Sequence, residues 1–84
     1  MKIKIHKVLY DYLLINLTVE RPDLAKRIKQ EKEGIKFVID ISEDTACEIR
    51  DWAGSKLQKL GFEADYNLTR QGEYLEDIID LLFV

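Results

Sequence analysis

The sequence predicts a small α+β fold in which a two-stranded sheet is covered by about four helices, in the order β-α-α-β-α-α. Segments 2–5 and 35–41 alternate polar and apolar residues, as half-buried strands do. Segment 42–60 has apolar residues at helical spacing between residues that start and stop helices. The 84 residues suit a single domain with one modest core. Because two strands alone are marginal in water, the helices must cover them.

The chain begins with the predicted strand 2–5, which is followed by a helix. From about His6 the apolar residues adopt helical spacing, which favours a helix to about Asn16. The residues that set this spacing are Leu9, Leu13 and Leu17. Since residues 8–17 are almost uniformly apolar, a buried strand is the alternative interpretation of this stretch.

A proline marks the start of the second predicted helix. Pro22 suits the first turn of a helix and disfavours helical geometry at the preceding residue, which predicts a bend over residues 18–21. We expect this helix to run to about Glu31, with a basic outer side. The second strand, residues 35–41, then has two faces. Ile35, Phe37, Ile39 and Ile41 are predicted to point one way, and Lys36, Val38 and Asp40 the other.

Helix 42–60 has residues suited to helix termini at both ends. Ser42 has the side-chain oxygen of an N-cap, and Gly61 can adopt the left-handed conformation that closes a helix. Gly54, near the middle, costs helix stability relative to Ala, which predicts the close approach of another helix, either the terminal one or one from a second subunit. The predicted core stripe comprises Ala46, Ile49, Ala53, Leu57 and Leu60.

The last helix is predicted to begin after Thr69 or, failing that residue, after Asn67, because both side chains can act as N-caps. Gly72 in its first turn again suggests the close approach of a neighbouring helix. Its predicted core stripe comprises Leu75, Ile78, Ile79 and Leu82. The preceding residues, 62–68, are predicted to form a turn or loop with Tyr66 tucked inward.

Composition excludes several classes of protein. With 46% hydrophobic and 35% charged residues, the chain is too apolar and too periodic for intrinsic disorder. The apolar run 8–17 is shorter than the ~20 residues of a membrane span, and Asp11 interrupts it, unlike the core of a signal peptide. The lone cysteine, Cys47, cannot form an intramolecular disulfide, which is typical of a reducing compartment. We therefore expect a cytoplasmic protein without a membrane partner.

No arrangement of residues predicts catalysis, a cofactor or a metal. Cys47 and His6 are the only residues of their types, and a cysteine nucleophile needs a positioned base. Because free cysteine is usually buried, we expect Cys47 to pack as a small apolar residue at a helix flank. The carboxylates lack the loop and the fixed ligand geometry of a calcium site. The sequence therefore predicts no catalytic, cofactor-binding or metal-ligating residue.

Charge is divided unequally along the chain, whose net charge is −3. Residues 1–36 carry nine Lys/Arg and five Asp/Glu, whereas residues 37–84 carry four and eleven. Carboxylates fill one face of helix 42–60 and one face of the last helix. Such charged faces are commonly only in contact with solvent. An electrostatic field of one sign, however, also accelerates the encounter with a partner of opposite charge.

We therefore predict that these two faces bind a partner. Trp52 lies between the core stripe and the charged face of its helix, so one interpretation is that it is only partly covered and acts as an interface anchor. The alternative, which follows from the tendency of tryptophan to be mostly buried, is that Trp52 packs on the sheet or on the first helix. The predicted partner-binding residues are Asp44, Glu48, Asp51, Trp52, Glu73, Glu76, Asp77 and Asp80.

Part of the C-terminal third resembles small uncharacterised bacterial proteins. The resemblance lies in Gly61-Phe62-Glu63-Ala64-Asp65-Tyr66-Asn67-Leu68-Thr69, Gly72, Leu75-Glu76-Asp77 and Ile79-Asp80. It implies a bacterial, cytoplasmic origin and no active site.

An acidic chain without catalytic motifs favours a cytoplasmic protein-binding module, such as an immunity protein or antitoxin that masks a basic toxin. The alternatives are a regulatory or nucleic-acid-associated protein that uses the basic N-terminal half, and a non-catalytic enzyme subunit. Nucleic-acid binding ranks lower because no aromatic residues are interleaved with the lysines and arginines as stacking platforms. The sequence is also compatible with a homo-oligomer.

Overall fold

The computed structural model of the protein describes residues 2–33, 36–60 and 69–83. In chain order the elements are β1 (Lys2–Ile5), α1 (Lys7–Glu20), α2 (Pro22–Lys26), β2 (Lys29–Glu33), β3 (Lys36–Asp40), α3 (Glu43–Leu60) and α4 (Arg70–Leu82). The predicted α+β class is confirmed, and the ambiguous stretch 8–17 is helical.

The strands form an antiparallel sheet in the order β1-β3-β2, so β3 is central. The predicted pairing of the first strand with the second is confirmed in the described part, where Ile3 lies opposite Ile39 and Ile5 opposite Phe37. The ring of Phe37 stacks on Tyr10 of α1, with the ring centroids 5.5 Å apart. This face of the sheet therefore lies against the helices.

The predicted two-stranded sheet is wrong, and so is the order β-α-α-β-α-α, because residues 29–33 form a third strand. The helix that was expected to run to about Glu31 ends at Lys26. Segment 29–33 reads Lys-Gln-Glu-Lys-Glu and has no apolar residue, so no periodicity marks it as a strand. It is held instead by backbone pairing with β3, which places Lys29 opposite Asp40.

The core combines residues from the sheet and all four helices. The largest fully buried side chains are Leu13, Leu17, Leu24, Ile39, Ile49, Leu75 and Ile78. Val38, on the other face of the central strand, is also only 5% exposed. Its neighbours in the register are Lys4 and Glu31, so strands flank it on both sides.

Helix α1 is longer than predicted, since it ends at Glu20 rather than near Asn16. The backbone N–H of Arg21 still donates to the carbonyl oxygen of Leu17 at 2.7 Å. The bend therefore comes at Arg21, directly before Pro22.

The predicted start of α3 is confirmed, because Ser42 Oγ accepts a hydrogen bond from the backbone N–H of Thr45 at 3.1 Å. Two expectations for this helix are wrong within the described chain. A Cβ at Gly54 would meet no described atom outside the backbone of its own helix within 4 Å, so no other described helix approaches it closely, and the approach of a helix from a second subunit stays a prediction. Leu60 is 49% exposed. Helical periodicity sets the direction of a side chain and does not decide whether a neighbour covers the last turn.

Thr69 is confirmed as the N-cap of α4 and also ties this helix to α3. Its Oγ1 accepts from the backbone N–H of Gly72 at 3.0 Å and donates to the carbonyl oxygen of Leu60 at 3.1 Å. The stripe residues Leu75, Ile78 and Leu82 are buried, whereas Ile79 is only partly buried. The predictions for Ile35, Gly61, Tyr66 and Asn67 lie outside the described residues.

None of the helices in the described ranges combines the length and the apolar character needed to cross a membrane.

Candidate partner-binding surface

The four acidic residues predicted on the last helix lie together on the outer side of α4. At roughly 100° per residue they fall within an arc of about 100°. All four are exposed, and none forms an ion pair with another described residue. This set, called here the acidic face of α4, comprises Glu73, Glu76, Asp77 and Asp80.

The acidic residues of α3 lie next to basic residues instead. Arg27 Nη1 donates to Glu48 Oε2 at 2.7 Å and joins the end of α2 to α3. Arg21 shares a shallow cleft with Glu48 and Asp51. Asp44 and Asp51 are exposed. One carboxylate of α3 is therefore neutralised by an ion pair, whereas the four carboxylates of α4 form none with a described residue, although Lys4 lines a cleft with Asp77 and Asp80.

The two acidic faces border different parts of the fold. The face of α3 lies beside α2, whereas Asp77 and Asp80 share a shallow cleft with Lys4, His6 and Leu9 from the start of the chain. The predicted residues therefore border two different clefts.

Trp52 is buried, with only 9% of the residue exposed, so the interpretation of a partly covered anchor is wrong and the alternative of packing on the first helix is confirmed. Its indole Nε1 donates to Glu20 Oε1 at 3.4 Å. Lys56 pairs with the same carboxylate, and its Nζ lies 5.7 Å from the centroid of the indole ring. Trp52 thus joins α3 to the end of α1 and has little surface left for a partner.

The expectation that Cys47 is buried is also wrong, since this residue is exposed. It lies about 160° around α3 from the fully buried Ile49, on the side away from the core. Arg50 Nη2 donates to Cys47 Sγ at 3.0 Å, and the guanidinium lies 5.2 Å from the ring centroid of Phe83.

An exposed apolar stripe on α1 was not predicted from the sequence. Val8, Ile15 and Val19 are 63%, 66% and 79% exposed. They fall within about 40° of one another, on the side of the helix away from Leu13 and Leu17. The sequence did contain a signal, because α1 is apolar on nearly every side. A helix that packs on one side only must expose the remaining apolar residues.

Two tyrosines lie where α1 meets α4. The rings of Tyr12 and Tyr74 have centroids 5.1 Å apart and are tilted by 45°. Tyr12 Oη also donates to Gln71 Oε1 at 3.3 Å. Burial raises the pKa of Tyr12, and the nearby Glu20 carboxylate raises it further. Both rings remain partly exposed and separate the apolar stripe from the acidic face of α4.

Several basic residues of the N-terminal half are paired with carboxylates. The pairs are Lys7 with Asp11 at 2.8 Å, Arg21 with Asp23 at 3.1 Å, and Arg27 with Glu48 at 2.7 Å. The positive field that this half could offer to phosphate groups is correspondingly reduced.

Comparison of the chain with protein-family models, with curated protein sequences and with solved structures finds no match. The resemblance of the C-terminal third to small bacterial proteins therefore stays a prediction.

Proposed function

We propose that the protein is a protein-binding module that holds a basic partner against the acidic face of α4. The observation that supports this proposal is the exposure of four carboxylates on one side of a single helix, without an ion pair to any described residue. A helix holds these groups in fixed positions, so a partner does not have to order the backbone that carries them.

The acidic residues of α3 make a smaller contribution in this proposal. A lysine or arginine of the partner would have to displace Arg27 from Glu48 before it could pair there. Trp52 is left out of the proposed surface because it is buried. The docking face is thus smaller than the set of residues expected from the sequence.

An immunity protein or antitoxin that masks a basic toxin would use such a face. Carboxylates of one sign accelerate the encounter with a basic surface and select against acidic competitors. Exposed charges at the edge of an interface chiefly affect the association rate and its dependence on salt.

Site-specific crosslinking in the native host tests this proposal. A photoreactive amino acid in place of Glu76 should capture a basic protein, and the same group in place of Asp51 on α3 should capture less of it. With the purified partner, Asp77→Lys combined with Asp80→Lys should slow association by about tenfold at low salt. The effect should shrink as the salt concentration rises.

A matched control has the same change in net charge on α3, namely Asp44→Lys combined with Asp51→Lys. We expect this control to slow association less. Equal slowing by both variants would show that only net charge matters and would contradict the assignment to α4. If the wild-type protein instead binds duplex DNA with a steep salt dependence, the nucleic-acid alternative is the better one.

A further inference from the structure

We propose that the partner presents a basic amphipathic helix. Its apolar side would cover the exposed stripe of α1, formed by Val8, Ile15 and Val19, while its basic flank would lie along the acidic face of α4. This identification of the contact element rests on the proposed function and adds to it the shape and chemistry of what binds.

The apolar stripe has the dimensions of a short helix. From Val8 to Val19 it extends about 16 Å along α1, at a rise of about 1.5 Å per residue. Single exposed apolar residues are ordinary on protein surfaces. Three that are each more than half exposed and aligned along one helix form a patch of the kind that marks an interaction site.

The apolar stripe and the acidic face of α4 are neighbours. Tyr12 of α1 contacts Tyr74 of α4. Leu9, one turn earlier in α1, shares a cleft with Asp77 and Leu81, which come later in α4. The two helices thus lie side by side and antiparallel. Tyr12 is about 40° around α1 from Val8, and Asp77 is about 60° around α4 from Tyr74. Among the described residues, the tyrosine pair lies between the two surfaces, and Lys4 and His6 line the cleft at the other end.

A basic amphipathic helix fits both surfaces at once. Helices pack about 8–10 Å apart, so a helix seated on the stripe has one flank directed toward α4. Lysine and arginine side chains on that flank are long enough to reach toward Asp77, the carboxylate of the acidic face that lies nearest to Tyr74. The rings of Tyr12 and Tyr74 suit the boundary, since tyrosine combines an apolar body with a polar tip.

Other occupants match this surface less well. A neutral apolar helix would leave the carboxylates without counter-ions, and an acidic one would be repelled. A second copy of the protein has the same apolar stripe but brings its own acidic face to the interface. Charge complementarity therefore favours a basic partner over self-association.

Designed peptides test the chemistry directly. The probe is a fluorescently labelled peptide of about 18 residues, in which leucines follow helical spacing and lysines fill the remaining positions. We expect saturable one-to-one binding in an anisotropy titration. One control peptide has glutamate in place of lysine, and the other has the same composition in an order that abolishes the apolar side. Each control should bind at least tenfold more weakly, and equal binding by either control would overturn the proposal.

Substitutions on α1 test the position of the bound helix. Ile15→Asp and Val19→Asp should each weaken binding of the Lys/Leu peptide by about tenfold or more, because a charge replaces a buried apolar contact. Thr18→Asp is the matched control, since it places the same charge on the same helix outside the stripe. We expect Thr18→Asp to change the affinity for the Lys/Leu peptide by less than about threefold. Circular dichroism melts establish that each variant is folded.

The outcomes separate this inference from the proposed function. If Asp77→Lys with Asp80→Lys weakens binding of the Lys/Leu peptide but Ile15→Asp does not, the inference fails and the proposed function stands. If the stripe variants weaken binding but the charge reversal does not, the acidic face is not a docking site and both proposals fail. A dimer in sedimentation velocity that Ile15→Asp dissociates would assign the stripe to a second copy and overturn the inference.

Discussion

The indole Nε1 of Trp52 donates a hydrogen bond to Glu20 Oε1 at 3.4 Å, between residues that are 32 positions apart in the sequence. The other carboxylate oxygen of Glu20 pairs with Lys56, whose side chain is only 12% exposed. One carboxylate thus ties the end of α1 to the middle of α3. This contact makes Trp52 part of the core and leaves the partner surface to other residues.

Glu20→Gln should destabilise the fold by about 1–2 kcal/mol, because Lys56 would keep its charge in a mostly buried position without a counter-ion. Urea denaturation at pH 7 measures this loss. The control is Asp11→Asn, which breaks the ion pair with Lys7, a side chain that is 67% exposed. That variant should lose no more than about 0.5 kcal/mol. Equal losses would show that Glu20 acts only as a surface charge.

Stability should also fall in acid. The hydrogen bond from Lys56 lowers the pKa of Glu20 below its ordinary value of 4.5. The unfolded chain therefore takes up this proton first, so the stabilisation is present above about pH 4.5 and is lost as the pH falls further. Denaturation curves from pH 6 to pH 3 should show a shallower loss for Glu20→Gln than for the wild type. If stability falls equally steeply with pH in both proteins, Glu20 does not contribute to the loss of stability in acid.

We expect ionisation of Tyr10 to lower the free energy of unfolding at alkaline pH. This residue is 8% exposed, and burial raises its pKa above the ordinary value of 10.0, with Asp11 adding to the effect. The unfolded chain then loses this proton more readily than the folded one, so stability declines as the pH rises above about 10. Tyr10→Phe should lessen the decline between pH 9 and pH 11. An unchanged decline would place the alkaline transition on other groups.

Gly54→Ala should stabilise the protein by about 0.5–1 kcal/mol. The added methyl group meets no described atom outside the backbone of its own helix within 4 Å, and alanine favours a helix interior over glycine. Ser55→Ala, at the next and exposed position, should give a smaller gain of about 0.5 kcal/mol. A loss of stability on Gly54→Ala would mean that another subunit packs against this position in solution.

Thr69→Ala should lower the free energy of unfolding by about 1–2 kcal/mol, because it removes both the N-cap of α4 and the hydrogen bond to the end of α3. Thr69→Ser should restore most of the loss, since serine keeps the hydroxyl group. The control is Thr18→Ala, which deletes a hydroxyl that donates to the carbonyl oxygen of Leu14 within α1. The free energy of unfolding of this control should change by less than about 0.5 kcal/mol. A neutral Thr69→Ala variant would contradict the assigned role of the cap.

Features that depend on neighbouring residues in the chain could be predicted from the amino-acid pattern. Ser42 and Thr69 cap their helices as predicted, because an N-cap needs only a side-chain oxygen within reach of the next turn. The carboxylates of α4 share one side of their helix because helical periodicity alone sets their direction. The alternation in β1 and β3 likewise predicted the pairing of the edge strand β1 with the central strand β3.

Features that depend on contacts between distant segments could not be predicted in this way. Residues 29–33 form a strand because β3 supplies backbone partners, although the segment has no apolar periodicity of its own. Trp52 is buried because α1 brings Glu20 to it, whereas Leu60 on the predicted core stripe is exposed. The exposed stripe on α1 arises because the core covers only one side of an apolar helix. A local pattern sets the direction in which a side chain points, and only the packing of distant segments determines what it meets there.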